Sequence, residues 1–292
     1  MTRSFSKFAA LAAGLLLVAG CAPERDDAAP GAEGVQQLAI LASGSGGGTD
    51  IVIMNSNGTE VNRIETTLGG WNNGLAYHPD GFFLIGQGEH LYAIDSDGSS
   101  EQFTDTPMWG GIFGISVSDD GEVTVGNAED GVTKFDDEGE EIFHSTMPGT
   151  CFMDVSPVPG ESGLDASIDI YGPRIVVADS DDGTLDTVAS NIGSDAGHLA
   201  VDGNGRFYAG SYYGDSHLWL VEGSESTSLG RISDQDVDAN WIVAMATASR
   251  NSVYALVEGS AGSSIVEVSS DGRVTHTVDA EAEVWSDLVV FQ

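Results

Sequence analysis

Four of the five tryptophans, Trp71, Trp109, Trp241 and Trp285, stand at nearly equivalent places, each just ahead of an apolar segment that opens a repeated phrase. Indoles gathered around one opening would offer flat apolar faces with a single N–H donor each. That chemistry suits a sugar, a peptide or a cation; the alternative is that they wedge the gaps between packed sheets. Polar groups that could orient a ligand stand close by: Asn72, Asn73 and Asn240, with His198 at the start of another apolar segment. Asn73, Asp154, Asp195 and Asp287 supply hard oxygen donors of the kind a Ca2+ ion takes. His198 has no second histidine near it, so a transition-metal site has little support. No Ser-His-Asp spacing, phosphate-cradling glycine loop or Cys/His cluster completes a catalytic set. The runs Asp95-Ser-Asp-Gly98 and Asp179-Ser-Asp-Asp-Gly183 echo calcium loops but lack the downstream bidentate Glu, and they recur at one junction of the repeat, which marks them as hairpin turns.

The elements that would position these residues come from the repeat. Each phrase has an apolar first strand, as in Gly74-Leu-Ala-Tyr-His-Pro-Asp-Gly81 and His198-Leu-Ala-Val-Asp-Gly-Asn-Gly205. A second strand follows, then a third ending in an acidic turn, then a more polar fourth. The turn after the first strand recurs at Gly81, Gly121, Gly160, Gly205 and Asn251, in steps of 40, 39, 45 and 46. A period in the forties with four short strands per unit predicts β-propeller blades. The first recognisable strand, Leu38-Ala-Ile-Leu-Ala42, begins one step into the phrase, and the last segment, Trp285-Ser-Asp-Leu-Val-Val-Phe-Gln292, supplies a first strand that never continues. The expectation is an all-β, six-bladed propeller of four-stranded blades, closed by the C-terminal strand pairing into the first blade. Aligning the turns puts Gly74, Gly114, Met153, His198, Ala244 and Asp287 at one level of the ring, to within about one residue.

Composition bounds the rest. The chain of 292 residues carries 10 Lys plus Arg against 46 Asp plus Glu, a net charge of −36. Such a surface repels nucleic acid, which is excluded as a partner, and it suits a salty medium that screens self-repulsion. Arg3 and Lys7 precede an apolar run from Phe8 to Ala19, followed by Val18-Ala-Gly-Cys21. This reads as a secretory signal over residues 1–20, with Cys21 as a lipidation site. Residues 21–37, rich in Ala, Pro, Gly, Asp and Glu, read as a flexible tether, and residues 38–292 as the propeller. No later stretch has the roughly 18 apolar residues of a membrane span. Cys151 is the other cysteine and lies among apolar neighbours, so it reads as a buried thiol and the fold as one held by burial and ring closure.

The leader resembles those of bacterial lipoproteins. That resemblance implies a diacylated Cys21 as the mature N-terminus, a lipid anchor in a membrane, and a domain facing the periplasm or the cell exterior. The phrases Asn73-Gly-Leu-Ala-Tyr-His-Pro-Asp-Gly81 and His198-Leu-Ala-Val-Asp-Gly-Asn-Gly205-Arg-Phe-Tyr208 resemble the six-bladed superfamily of NHL-repeat, gluconolactonase-like senescence-marker and strictosidine-synthase-like proteins. In its calcium-dependent lactonase branch the Asn before Gly-Leu is a metal ligand, which maps to Asn73. The next ligand position reads Gly197, with Asp195 two residues earlier, and the closing strand has no Glu-Gly-Pro phrase. The sequence therefore favours a monomeric, non-catalytic binding or scaffolding module whose mouth takes protein, peptide or carbohydrate. A Ca2+-dependent lactonase or esterase and an envelope assembly factor are the alternatives.

Overall fold

The computed structural model describes residues 36–43, 48–70, 72–129, 131–159, 165–179, 182–279 and 285–291. The signal segment, Cys21, most of the tether and Trp71 lie outside the described residues. Gln36–Phe291 form one compact unit. Its strands make six four-stranded antiparallel sheets, each a blade that runs from the centre of a ring to its rim. The helical content of the described residues is a single 3-10 turn, Ile232–Gln235.

The innermost strands are, from blade 1 to blade 6, Trp285–Phe291, Asn72–Tyr77, Ile112–Val117, Phe152–Pro157, Ala196–Val201 and Trp241–Thr247. Each touches the next, and the sixth touches the first, so the ring is closed. Strands near the centre lie between neighbouring blades and are apolar on both faces; Ala196–Val201 is buried throughout. Rim strands such as Glu141–Thr146 face water and carry charges. The expected polarity gradient along each blade follows from that geometry.

Blade 1 is built from both ends of the described unit. Its inner strand pairs antiparallel with Gln37–Ser43 in the register Gln37↔Phe291 and Ile40↔Leu288. Trp285 and Leu288 complete the apolar seam between blades 1 and 6, alongside Leu38, Ile40, Leu256 and Ile265. The acidic run 95–98 is a hairpin turn, as read from sequence, while Ser180 and Asp181 of the run 179–183 lie outside the described residues. At Gly98, φ is +82°, its N–H donates to Asp95 O at 2.9 Å, and Asp97 Oδ1 accepts from Ser99 N–H at 2.9 Å. Cys151 is free and buried, and desolvation pushes its thiol up to about 11.

Polar pins join some blades. His78, buried in blade 2, donates from Nε2 to Gly121 O of blade 3 at 3.0 Å, while its Nδ1 accepts from Asp80 N–H at 3.2 Å. Between blades 3 and 4, Asp165 accepts from Ser116 Oγ at 2.7 Å and Thr124 Oγ1 at 2.6 Å. The buried Lys134 ammonium lies 4.0 Å from that carboxylate and 2.8 Å from Glu122.

Candidate functional site

All six inner strands carry a β-bulge one turn below their entry into the ring. A bulge puts two residues opposite one and re-aims the side chain that follows. In order round the ring, the residues that follow the bulges are Asp287, Leu75, Gly114, Asp154, His198 and Ala244. Four of the six are those aligned from sequence, and the other two lie one residue away. In blades 2 and 4 the aligned residues, Gly74 and Met153, are themselves the extra residues of the bulges, between Asn73 and Leu75 and between Phe152 and Asp154.

Blades 1 and 4 are three steps apart in a ring of six, so Asp287 and Asp154 project from opposite sides of the centre. Each carboxylate is held in the same way. Asp154 accepts from Val155 N–H at 2.9 Å within its own blade and from Leu199 N–H of blade 5 at 3.0 Å. Asp287 accepts from Leu288 N–H at 2.7 Å and from Leu75 N–H of blade 2. Gly114, beside Asp154 in the ring, is small for a steric reason. A Cβ on Gly114 would lie 2.6 Å from Val155 N and 2.7 Å from Asp154 Cα, so the neighbouring inner strand approaches only because glycine is there.

These groups line a cavity of about 320 Å³ that opens on one face of the ring. Its walls include Asn73, Phe113, Asp154, His198, Tyr212, Trp241, Glu258, Trp285 and Asp287, and no Lys or Arg is among the described residues that line it. His198 Nδ1 stands 3.8 Å from Asp154 Oδ2, near enough for attraction but too far for a hydrogen bond, and its ring faces Tyr212 at 6.1 Å. Trp241 Nε1 donates to Glu258 Oε2 at 3.2 Å, which fixes the indole at the rim. Asp287 is open to the cavity, yet protein surrounds it closely. Burial, and secondly the charge of Asp154, raise its carboxyl well above the ordinary range, against the pull of its two amide donors.

The remaining residues named from sequence fall in several places. Asn72 is buried and turned away from the cavity. Its Nδ2 donates to Thr49 Oγ1 of blade 1 and its Oδ1 accepts from Gln87 Nε2 at 3.1 Å, so it pins two blades. Trp109 is 66% exposed on the loop before Ile112–Val117, outside the cavity walls. Asn240 is exposed beside Trp241 and gives its backbone N–H to Glu258 O at 2.7 Å. Of the four oxygen donors considered for Ca2+, Asn73, Asp154 and Asp287 line one cavity. Asp195 is instead exposed on the turn before Ala196–Val201, with Oδ2 accepting from Ser194 Oγ at 2.9 Å. Among the described residues no three His, Cys, Asp or Glu side chains converge to hold a metal. Asp195 thus stands apart from the other three donors.

Sequence reasoning missed Phe113, Tyr212 and Glu258. Tyr212 lies in the link between the second and third strands of blade 5 and Glu258 ends the second strand of blade 6, and these links fold over the same face as the entries of the inner strands. That face also collects the exposed aromatics. Among the described residues these are Trp109, Tyr171, Tyr212, Tyr213 and Trp241. All five lie either ahead of or at the start of an inner strand, or in a second-to-third link, and so on the cavity side of the ring.

Comparison with known proteins adds the fold. No family model and no curated protein matches the sequence. A protein of unknown function from Bacteroides caccae is 14% identical, with a TM-score of 0.62 over 89% of this chain and 100% of that one. A chain of the nidogen/laminin complex is 12% identical, with a TM-score of 0.64 over 87% and 98%. A streptogramin B lyase is 10% identical, with a TM-score of 0.62 over 84% and 83%. The shared fold is a six-bladed β-propeller. At such identities the likeness speaks for architecture alone, since one fold hosts many unrelated functions.

Proposed function

We propose that this chain is a lipid-anchored, extracytoplasmic propeller that binds a ligand at its channel mouth and does no chemistry on it. The observation that carries the reading is the segregation of aromatics. All the exposed tyrosines and tryptophans of the described residues lie on the face where the 320 Å³ cavity opens, with Trp241 and Tyr212 in its wall. Exposed large aromatics are costly to keep in water, and their gathering round one concave site is what a binding surface requires. The anchor rests on the leader, from Arg3 to Cys21, and on the tether that follows it.

The test is tryptophan fluorescence of the full chain titrated with a soluble oligosaccharide, a short peptide and an aromatic ammonium salt. A saturable change with one of them, weakened about tenfold or more in Trp241→Ala, supports the reading. A flat response to all three refutes it. In parallel, Cys21→Ser should move the protein from the membrane to the soluble fraction; equal sedimentation of variant and wild type would refute the anchor.

A second reading, hydrolysis of a lactone or ester, draws on one feature: Asn73, Asp154, His198 and Asp287 share the cavity. It requires turnover that Asn73→Ala abolishes. The solved neighbours do not choose between the readings, since one is a lyase and another belongs to a binding complex.

A further inference from the structure

We infer that the ligand of the mouth carries an organic cationic centre, an ammonium or guanidinium group on an apolar body, seated between Asp154 and Asp287 against the rings of Trp241 and Tyr212. This rests on the mouth being the binding site and goes further by naming what it selects.

Charge is the first argument. The described lining holds three acids, Asp154, Glu258 and Asp287, against one histidine. Elsewhere six of the seven described Lys and Arg side chains are engaged in pairs at 2.6–3.3 Å: Arg63 with Glu60, Lys134 with Glu122, Arg174 with Asp169, Arg206 with Asp202, Arg231 with Asp215 and Arg273 with Asp271; the seventh, Arg250, lies on the turn after the inner strand of blade 6, outside the cavity lining. None is placed to neutralise the cavity. Two carboxylates facing each other across a space of low dielectric repel, and a cation between them relieves the repulsion while gaining both attractions. Each carboxylate is already oriented by two backbone amides, so a ligand would find them in place.

The walls are the second argument. Aromatic faces attract a weakly hydrated organic cation through their quadrupoles, and more strongly once water is excluded. A bare metal ion gains little from indole and phenol faces, and no three His, Cys, Asp or Glu side chains among the described residues converge to hold one. A neutral sugar would stack on the same rings but would leave the opposed acids without a counter-charge. The combination of opposed acids and aromatic walls is best satisfied by a group that is both cationic and apolar.

The experiment uses the full chain in about 0.5 M NaCl, where attraction to the acidic surface at large is screened. Benzyltrimethylammonium and benzyl alcohol are titrated by calorimetry, with calcium chloride as a third probe. The expected result is that the cation binds at least about tenfold more tightly than the alcohol. That preference should disappear in Asp154→Asn and in Asp287→Asn, both checked by thermal melting for retained fold, and weaken in Glu258→Gln at the rim. Equal affinity for the two organic probes, or a preference that survives the double Asp→Asn variant, overturns the inference and leaves the binding site standing. Calcium binding in place of the organic cation, lost in Asn73→Ala, overturns it in favour of a metal. Binding of a neutral oligosaccharide alone overturns the inference but not the site. No binding by any probe sinks both.

Discussion

If the C-terminal strand closes the ring, trimming one of its buried side chains should cost as much as a change in the middle of a domain core. Leu288 is the residue to change. It is 3% exposed and fills the seam between blades 1 and 6, among side chains drawn from both. Leu288→Ala removes three carbons and leaves a cavity that rigid strands on either side cannot collapse to fill. The expected loss is about 3 kcal/mol, within a range of about 2–5. For a cooperative unit near 250 residues, each kcal/mol lowers the melting midpoint by about 2–4 °C, so the shift should be about 6–12 °C. The assay is thermal unfolding followed by circular dichroism, with Val61→Ala as the reference. Val61 is 47% exposed on a rim strand, and its loss should move the midpoint by less than about 2 °C. A Leu288→Ala midpoint within a degree of that reference would refute the claim that this strand holds the seam.

Three further outcomes follow from the structure. Asp287 binds its proton more tightly in the folded state than in the unfolded one, so the stability it confers falls as pH rises above the ordinary carboxylate value of 3.8; Asp287→Asn should flatten that part of the melting-versus-pH curve and melt higher than wild type at pH 7. Burial lowers the pKa of His78 despite the nearby Asp80 and Asp137, so stability should be lost as pH falls below 6.5; His78→Gln should remove that slope, at a cost of about 1 kcal/mol at neutral pH for the altered bond to Gly121, as melts at a series of pH values would read. Gly114→Ala should destabilise by about 1–3 kcal/mol, because its Cβ would meet the backbone of the next inner strand, and calorimetry should also show weaker cation binding as Asp154 is displaced.

The fold was legible in the sequence because blades repeat. Turn spacing set the period and five of the units, and the unmatched strands at the two ends supplied the sixth and implied closure. The ring level was legible to within one residue, and the miss in blade 4 is instructive. Met153 and Asp154 are neighbours on a strand, where one step reverses the direction of a side chain. The bulge that decides between them has no glycine or other signal in Phe152-Met-Asp-Val155. Alternation likewise separates Asn72 from Asn73: adjacent and alike in sequence, one pins blades 1 and 2 and the other faces the cavity. Trp109 stands on a loop whose reach strand periodicity does not set. Tyr212 and Glu258 come from hairpins that meet the mouth only once the blades are stacked, so no local pattern marks them. The opposition of Asp154 and Asp287 needed both the blade count and the register, which is why they read from sequence as two members of a calcium set.

The origin of blade 1 from both ends of the folded unit sets a timetable. Residues 37–43 are made about 240 residues ahead of Trp285–Phe291, the strand that covers their inner edge. At about 5–20 residues per second, the intervening chain takes on the order of 12–50 s to appear. Throughout that interval Leu38, Ala39, Ile40 and Leu41, all 0% exposed in the finished ring, form a bare, uncharged edge able to pair with any passing strand. A chain that stopped after residue 284 would therefore be permanently sticky as well as weaker. The cell must keep that edge from other chains until its own last strand arrives.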